Sequence, residues 1–289
     1  GYLIRGQLVG VLASAIYVLN PAVLLNGRRA MMEGSMLAFT LLAMLLGLWV
    51  LRKQSWQRVI LLGIVAGLAV ASKHTAVFTV AAVFAGIGFF WLWQTFHNQQ
   101  WHELLSRLAY LFSAGILALV VFFALNPAWW GDPIGRAQEV LERRSELLAG
   151  QTATFGGYED FGAKVGGFWR QGFVVEPMYA ETEIDGFISN QPELIQQYDV
   201  SITSGVSFGF IGGSALLILV IIGVGALLRG FIPQGDAWLL GIWAVAMLLL
   251  TLLLTPLEWQ RYYLPAYPVI GIFAALGIAQ LLQVTRRTT

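Results

Sequence analysis

Long apolar runs constrain the fold of this 289-residue chain more than any other feature. The runs lie near residues 7–25, 35–51, 59–71, 75–93, 104–125, 206–228, 237–255 and 264–284. A helix that crosses a bilayer needs roughly 20 apolar residues. Because backbone groups in lipid must be hydrogen-bonded internally, each run is predicted to be a helix. The sequence therefore predicts an all-α polytopic membrane protein with about eight transmembrane helices.

Charge content supports the same conclusion and limits the function. Only 11% of the residues are charged and 57% are hydrophobic, whereas a soluble domain carries about 25% charged residues. A chain this poor in charge cannot cover a water-facing surface. The net charge of +1 does not indicate a partner, and no basic tract suggests that the chain binds nucleic acid. With no cysteine, the chain has neither disulfides nor thiolate metal ligands.

Basic residues in the short connections predict the orientation in the membrane. Segments 51–58, 94–107 and 228–236 and the tail at 285–289 are short and carry Arg or Lys, which is typical of the cytoplasmic side. We therefore expect transmembrane helices 1 to 5 in residues 1–125, a long extracytoplasmic region in 126–205 and helices 6 to 8 in 206–289. The expected location is the cytoplasmic (inner) membrane of a prokaryote.

The long region at 126–205 has one recognisable element. Residues 133–151 carry apolar side chains at helical spacing, so an amphipathic helix at the membrane interface is predicted. The Gly- and aromatic-rich stretch that follows, at 154–173, is typical of a loop and predicts no regular element.

Charged and polar side chains collect at the predicted extracytoplasmic helix ends. They are Arg28, Arg29, Glu33, Lys73, His74, Asp132, Glu258, Arg261 and Tyr262. Each also has a structural explanation. Long basic side chains can reach the lipid headgroups, and tyrosines and tryptophans can anchor a helix at the membrane interface. Asp132 precedes a proline and suits a helix cap. Glu258 suits a solvent-exposed position, and His74 suits a packed one.

Their convergence favours a binding site. Ionisable groups are costly at membrane depth, and this chain uses few of them. Clustered cations at an interface suit a phosphate group, because Arg and Lys supply charge-assisted donors. A phosphate in the outer leaflet indicates a lipid-linked substrate.

Four short motifs carry a family resemblance. "RRAMMEGSMLAF", residues 28–39, resembles the Arg-x-x-x-x-Asp element of polyprenyl-phosphate-sugar-dependent glycosyltransferases of the GT-C fold, such as protein O-mannosyltransferases and aminoarabinose lipid A transferases. "GLAVASKHTAVF", residues 67–78, is similar to their Gly-Leu-Ala-x-x-Ser-Lys element. "NPAWWGDP" and "RYYLPAYP" resemble later segments of the family.

The resemblance implies a reaction and roles for the residues. An acceptor attacks a sugar carbon with inversion, and polyprenyl phosphate leaves. Arg28 and Lys73 would bind the lipid phosphate, with Arg29, His74, Arg261 and Tyr262 as further contacts. Glu33 and Asp132 are the candidate catalytic carboxylates, and Glu258 is a third. A divalent metal is a candidate cofactor, with Glu33 as its candidate ligand.

Two differences from the family pattern remain. Glu33 stands where the family usually has Asp, which keeps the charge and lengthens the side chain. The family's main acidic pair lies in its first outer loop, yet no Asp or Glu precedes Glu33 here. We therefore expect the chain to begin after that loop, and the loop to belong to a preceding segment or another membrane subunit.

Two other classes of function remain open at this point. A catalytically inactive membrane subunit with an assembly or lipid-binding role would explain the lack of an acidic pair. A transporter is the third class. The charges lie at helix ends, however, whereas transport sites are usually near the middle of the bilayer. Besides the lipid-linked sugar donor, the expected partners are membrane lipids.

Overall fold

A computed structural model describes residues 1–28, 32–99, 101–179 and 191–288. Regular structure in these ranges is helical. The α-helices are α1 (Tyr2–Arg5), α2 (Gln7–Val18), α3 (Pro21–Arg28), α4 (Glu33–Arg52), α5 (Trp56–Ser72), α6 (Ala76–Asn98), α7 (Trp101–Leu125), α8 (Pro133–Phe155), α9 (Phe161–Trp169), α10 (Pro192–Asp199), α11 (Gly209–Leu228), α12 (Gln234–Leu254) and α13 (Tyr267–Thr288). Short 3₁₀ turns cover Pro127–Trp129 and Gln260–Tyr263, and a π-helical turn covers Arg170–Val174.

Each predicted apolar run falls largely within helix, although residues 206–208 and 264–266 precede α11 and α13. In the described part of the chain, α4, α6, α7, α11 and α12 are long and apolar enough to cross a membrane. Helices α2 and α3 qualify together as a span bent by 65°, while α5 and α13 are shorter apolar helices. The protein is thus an all-α polytopic membrane protein, as predicted.

The bend between α2 and α3 follows from two neighbouring residues. The side-chain oxygen of Asn20 accepts hydrogen bonds from the backbone N–H groups of Ala22 (2.9 Å) and Val23 (3.3 Å), as a helix cap does. Pro21 opens α3, where its missing N–H costs nothing. The run predicted at residues 7–25 is therefore two helices rather than one.

The chain divides into two compact units. The central unit contains residues 32–150 and 233–247, and the terminal unit contains residues 1–31, 151–232 and 248–289. In the central unit, α4 to α7 pack together. Helix α5 approaches α7 closely at Gly63 and Gly67, where an added Cβ would lie 2.7 Å and 2.6 Å from the carbonyl oxygens of Ala114 and Ala118.

In the terminal unit, α11 and α13 also approach each other closely at glycines. A Cβ at Gly223 would lie 1.9 Å from the carbonyl oxygen of Phe273, and one at Gly277 would lie 2.1 Å from that of Leu219. Small residues let apolar helices bring their backbones into contact in a membrane.

The region at 126–205 is more helical than predicted. Helix α8, Pro133–Phe155, covers the stretch where an amphipathic helix was predicted, and it has no buried side chain along its length. Helix α9 and the π-helical turn occupy the stretch that predicted no regular element. The side chain of Asp160 starts α9 by accepting from the N–H of Ala163 at 2.7 Å. The three-part division at residues 125 and 205, and an interfacial position for α8, stay predictions.

Candidate functional site

An ion pair joins the two residues that carry the sequence motifs of the central unit. The ammonium of Lys73 donates a hydrogen bond to the carboxylate of Glu33, across 40 positions of sequence. The Glu33 side chain is only 4% exposed and that of Lys73 is 26% exposed. The carboxylate is thus fixed inside the helix bundle, while the lysine keeps partial access from outside.

The hairpin of α4 and α5 brings the two residues together. Ser55 caps α5 by accepting from the N–H of Arg58 at 3.4 Å, so the chain reverses within three residues. Because α4 and α5 are antiparallel and similar in length, Glu33 at the start of α4 lies beside Lys73, the residue that follows α5. Glu33 also lies in the first turn of α4, where the helix dipole stabilises a carboxylate.

A tight turn sets the position of Lys73. Its backbone is extended where α5 ends, and α6 begins at Ala76, whose N–H donates to the carbonyl of Lys73 at 2.9 Å. The hydroxyl of Thr75 contacts the sulfur of Met36 at 3.4 Å, which ties the turn to α4. The apolar runs predicted at residues 59–71 and 75–93 are therefore two separate helices, divided at "SKHT".

His74 lies against an aromatic group at the same end of the bundle. Its ring centroid is 6.0 Å from Phe122 and 5.4 Å from Trp129, and those two rings are 5.1 Å apart, all with edge-to-face geometry. Burial lowers the pKa of His74 below its usual value. The group joins the turn that carries Lys73 to the end of α7.

Asp132 makes the contact of a helix cap. Its carboxylate accepts from the N–H of Gly135 at 2.9 Å, immediately before α8. This is the structural explanation that the sequence offered for Asp132. A catalytic role for this carboxylate stays a prediction.

Arg261 and Tyr262 lie in the terminal unit. The Arg261 guanidinium lies 4.9 Å from the ring centroid of Trp259 and 5.4 Å from that of Tyr262. The two rings are stacked with an interplanar angle of 4°, and the Tyr262 hydroxyl donates to the side chain of Gln151 at 3.3 Å. Their predicted contact with a lipid phosphate stays a prediction.

Sequence reasoning missed a second ion pair, also in the terminal unit. Arg170 Nε donates to Glu258 Oε1 at 2.8 Å, Arg170 Nη2 donates to the other carboxylate oxygen, and Gln171 adds a bond at 3.3 Å. Burial alone would raise the pKa of Glu258. The hydrogen bonds from Arg170 and Gln171 and the charge of Arg170 outweigh it and hold the pKa below its usual value.

A buried amide network fastens the same segment. Gln260 donates to the carbonyl of Glu176 at 2.9 Å and to the side chain of Gln171 at 3.4 Å. Arg170 has no counterpart in the motifs, and its stretch predicted no helix, so nothing in the sequence pointed to its pairing with Glu258.

Two arginines remain among the predicted site residues. Arg28 is the last residue of α3, and Arg29 lies outside the described residues. Among the residues that the structure describes, no group of three or more His, Asp or Glu side chains could hold a metal ion. Because Glu33 is paired with a lysine, whose charge would repel a cation, a divalent metal does not fit there.

Comparison with known families bears on the central unit most directly. The sequence model of the dolichyl-phosphate-mannose-protein mannosyltransferase family matches residues 2–129. The family resemblance is confirmed over this segment. The matched part of this mannosyltransferase-like chain includes Glu33, Lys73, His74 and Trp129. The match covers less than half of the chain. No curated protein and no solved structure matches the chain.

Proposed function

We propose that the chain is a membrane glycosyltransferase, or part of one, whose donor is a polyprenyl-phosphate-linked sugar. The donor binds at the extracytoplasmic face of a prokaryotic cytoplasmic membrane, with its phosphate on Lys73. The observation that carries this proposal is the partly exposed side chain of Lys73, whose ammonium is held by a buried carboxylate inside the segment that matches the family.

The lysine has capacity for a ligand in this arrangement. An ammonium has three N–H donors, and the structure gives one of them to Glu33. The other donors can reach phosphate oxygens through the exposed side. Glu33 is fixed by burial and by the start of α4, so it holds the ammonium in place before the donor arrives.

The chemistry of the reaction needs a cation at this position. The acceptor oxygen forms a bond to the sugar carbon, and the proton of the acceptor hydroxyl passes to a general base. The bond from that carbon to the phosphate oxygen breaks, and both its electrons stay on the phosphate oxygen. The leaving group is polyprenyl phosphate. Lys73 stabilises the charge that develops on this phosphate, in the way that preorganised donors stabilise developing charge elsewhere.

The position of Lys73 also suits a lipid substrate. Lys73 follows an apolar helix and precedes another, with only a three-residue turn between them. A residue in such a turn lies near the level of the lipid headgroups, where the phosphate of a polyprenyl lipid is found. The extracytoplasmic side is the one that the basic connections predict.

Binding measurements on Lys73→Ala test the proposal. A charged hydrogen bond to phosphate contributes about 1.5–3 kcal/mol, so the Kd for a polyprenyl-phosphate-mannose in detergent should rise roughly 10- to 150-fold. Lys53→Ala is the matched control, because Lys53 is an exposed lysine that follows the opposite end of α4. If the two variants bind equally well, Lys73 is an interfacial anchor and the proposal is wrong.

A further inference from the structure

The Lys73–Glu33 pair carries no net charge, and this has a consequence for the two phosphates of the reaction. A simple phosphate site would present cations alone. Here the charge of Lys73 is balanced by the carboxylate of Glu33, to which it donates a hydrogen bond, and that carboxylate is almost fully buried. It cannot turn away to water when a phosphate arrives.

Donor and product differ in charge at the atom that Lys73 binds. This argument rests on the proposed function. The donor is a phosphodiester with a charge of −1, because both a polyprenyl chain and a sugar are esterified to it. The product keeps the oxygen of the broken bond and becomes a phosphomonoester, with a charge of about −1.5 to −2 at pH 7. A lone lysine would therefore hold the product more tightly than the donor.

We propose that Glu33 determines specificity between these two phosphates. Its carboxylate cancels the electrostatic advantage of the dianionic product over the monoanionic donor, so that polyprenyl phosphate leaves after transfer. Glu33 acts by direct repulsion across the shared ammonium. Two hydrogen bonds from one ammonium place the carboxylate and a phosphate oxygen roughly 5 Å apart, which is close enough for one unit of charge to change affinity by about 10- to 100-fold.

The packing around Glu33 supports a fixed rather than a mobile carboxylate. The residue opens α4, and the turn after Lys73 is tied to the same helix through Thr75 and Met36. Because both partners are anchored to the α4–α5 hairpin, a bound phosphate meets the lysine and the carboxylate together.

The test compares two lipids of equal chain length. One is a polyprenyl monophosphate and the other is its methyl ester, a diester with a single negative charge. Their Kd values are measured in detergent for the unaltered protein, for Glu33→Gln and for Glu193→Gln. Glu193 is the control, because it is an exposed glutamate in the first turn of another helix, α10.

Glu33→Gln should increase the preference for monophosphate over methyl ester by at least about 10-fold, and Glu193→Gln should leave it unchanged. An unchanged preference in Glu33→Gln overturns the inference. Lys73→Ala separates this failure from that of the proposed function. If Lys73→Ala weakens both lipids, the phosphate site stands, and if it weakens neither, the site itself is wrong.

A measurement on the unaltered protein covers the case in which Glu33→Gln does not fold. Between pH 7.5 and 5.5 the monophosphate loses its second charge, since its second pKa is about 6. The titratable groups at this end of the bundle are Lys73, Glu33, His74 and Asp132, and a change in their charge acts more strongly on a dianion than on a monoanion. The ratio of the two Kd values is therefore also measured for His74→Phe, which keeps an aromatic ring beside Trp129 and removes the charge of His74. We expect that ratio to change less than about threefold. A tenfold gain for the dianion at pH 7.5 contradicts a cancelling carboxylate.

Discussion

Two ion pairs at opposite ends of one helix differ in the geometry of their cations. Glu33 opens α4 and pairs with Lys73, whereas Arg52 ends α4 and pairs with Asp236 at the start of α12. With a rise of 1.5 Å per residue, the two ends of this helix are about 30 Å apart. Both pairs lie within the central unit.

The carboxylates of the two pairs resemble each other, and the cations do not. Asp236 is 3% exposed, nearly the same as Glu33, and both residues lie in the first turn of a helix. Arg52, however, binds Asp236 with two nitrogens, Nε at 3.3 Å and Nη2 at 2.5 Å. The planar guanidinium of an arginine, here called the fork, donates to both oxygens of one carboxylate and so fixes its orientation. An ammonium keeps N–H donors for another ligand. The fork thus joins two helices, and the ammonium is suited to a substrate.

The largest effect should come from breaking the fork. Arg52→Met leaves the buried Asp236 carboxylate without its partner, which costs about 3 kcal/mol or more in comparable buried pairs. Asp236→Asn should cost less, because the Arg52 side chain is 37% exposed and can reach water. Unfolding free energies of the two variants in detergent check the order. Equal losses, or a larger loss in Asp236→Asn, would show that the fork is not anchored by the buried carboxylate.

A smaller effect on stability is expected when the Lys73–Glu33 pair is given the guanidinium geometry of the Arg52–Asp236 pair. Lys73→Arg places a fork against Glu33, so the unfolding free energy should change by less than about 1 kcal/mol, as for a conserved ion pair. The Kd for polyprenyl-phosphate-mannose should nevertheless rise about 10-fold, because the guanidinium differs from the ammonium in shape and reach. Binding and unfolding are measured on the same preparation. An unaltered Kd would show that the site needs only a positive charge.

The sequence predicted the helices well because the bilayer imposes one length and one polarity on them. The run at 35–51 differs from α4, Glu33–Arg52, by two residues at its start and one at its end. The break at "SKHT" was predicted because Lys73 and His74 interrupt the apolar residues. The bend at Asn20 was not predicted. Pro21 lies inside an otherwise apolar run, and the sequence does not indicate the angle between the helices on either side of it.

The candidate site was predictable in part. Glu33 and Lys73 were selected because charges are rare in this chain, but their direct pairing depends on the matching lengths of α4 and α5. The contact of Arg170 with Glu258 spans 88 positions. Arg170 lies in a π-helical turn that is followed by Val175, a β-branched residue with φ of +48°. Neither that turn nor that backbone conformation has a periodic signal in the sequence, so the pair could not be found there.

The Arg170–Glu258 pair provides the smallest expected effect and a reference for the other two. Its side chains are 56% and 27% exposed, far more than the carboxylates of the central unit. Exposed pairs contribute about 0.2–1 kcal/mol, so Glu258→Gln should lower the unfolding free energy at pH 7 by no more than that.

Glu258 has a folded-state pKa below its usual value near 4.5. Its contribution is therefore present above that value and is lost as the pH falls through the folded-state pKa. The difference between the unaltered protein and Glu258→Gln, measured by thermal unfolding in detergent, should shrink from pH 7 toward pH 3.5. A difference as large as that of Arg52→Met, or one that does not shrink on acidification, would mean that exposure does not separate the strong pairs from the weak ones in this protein.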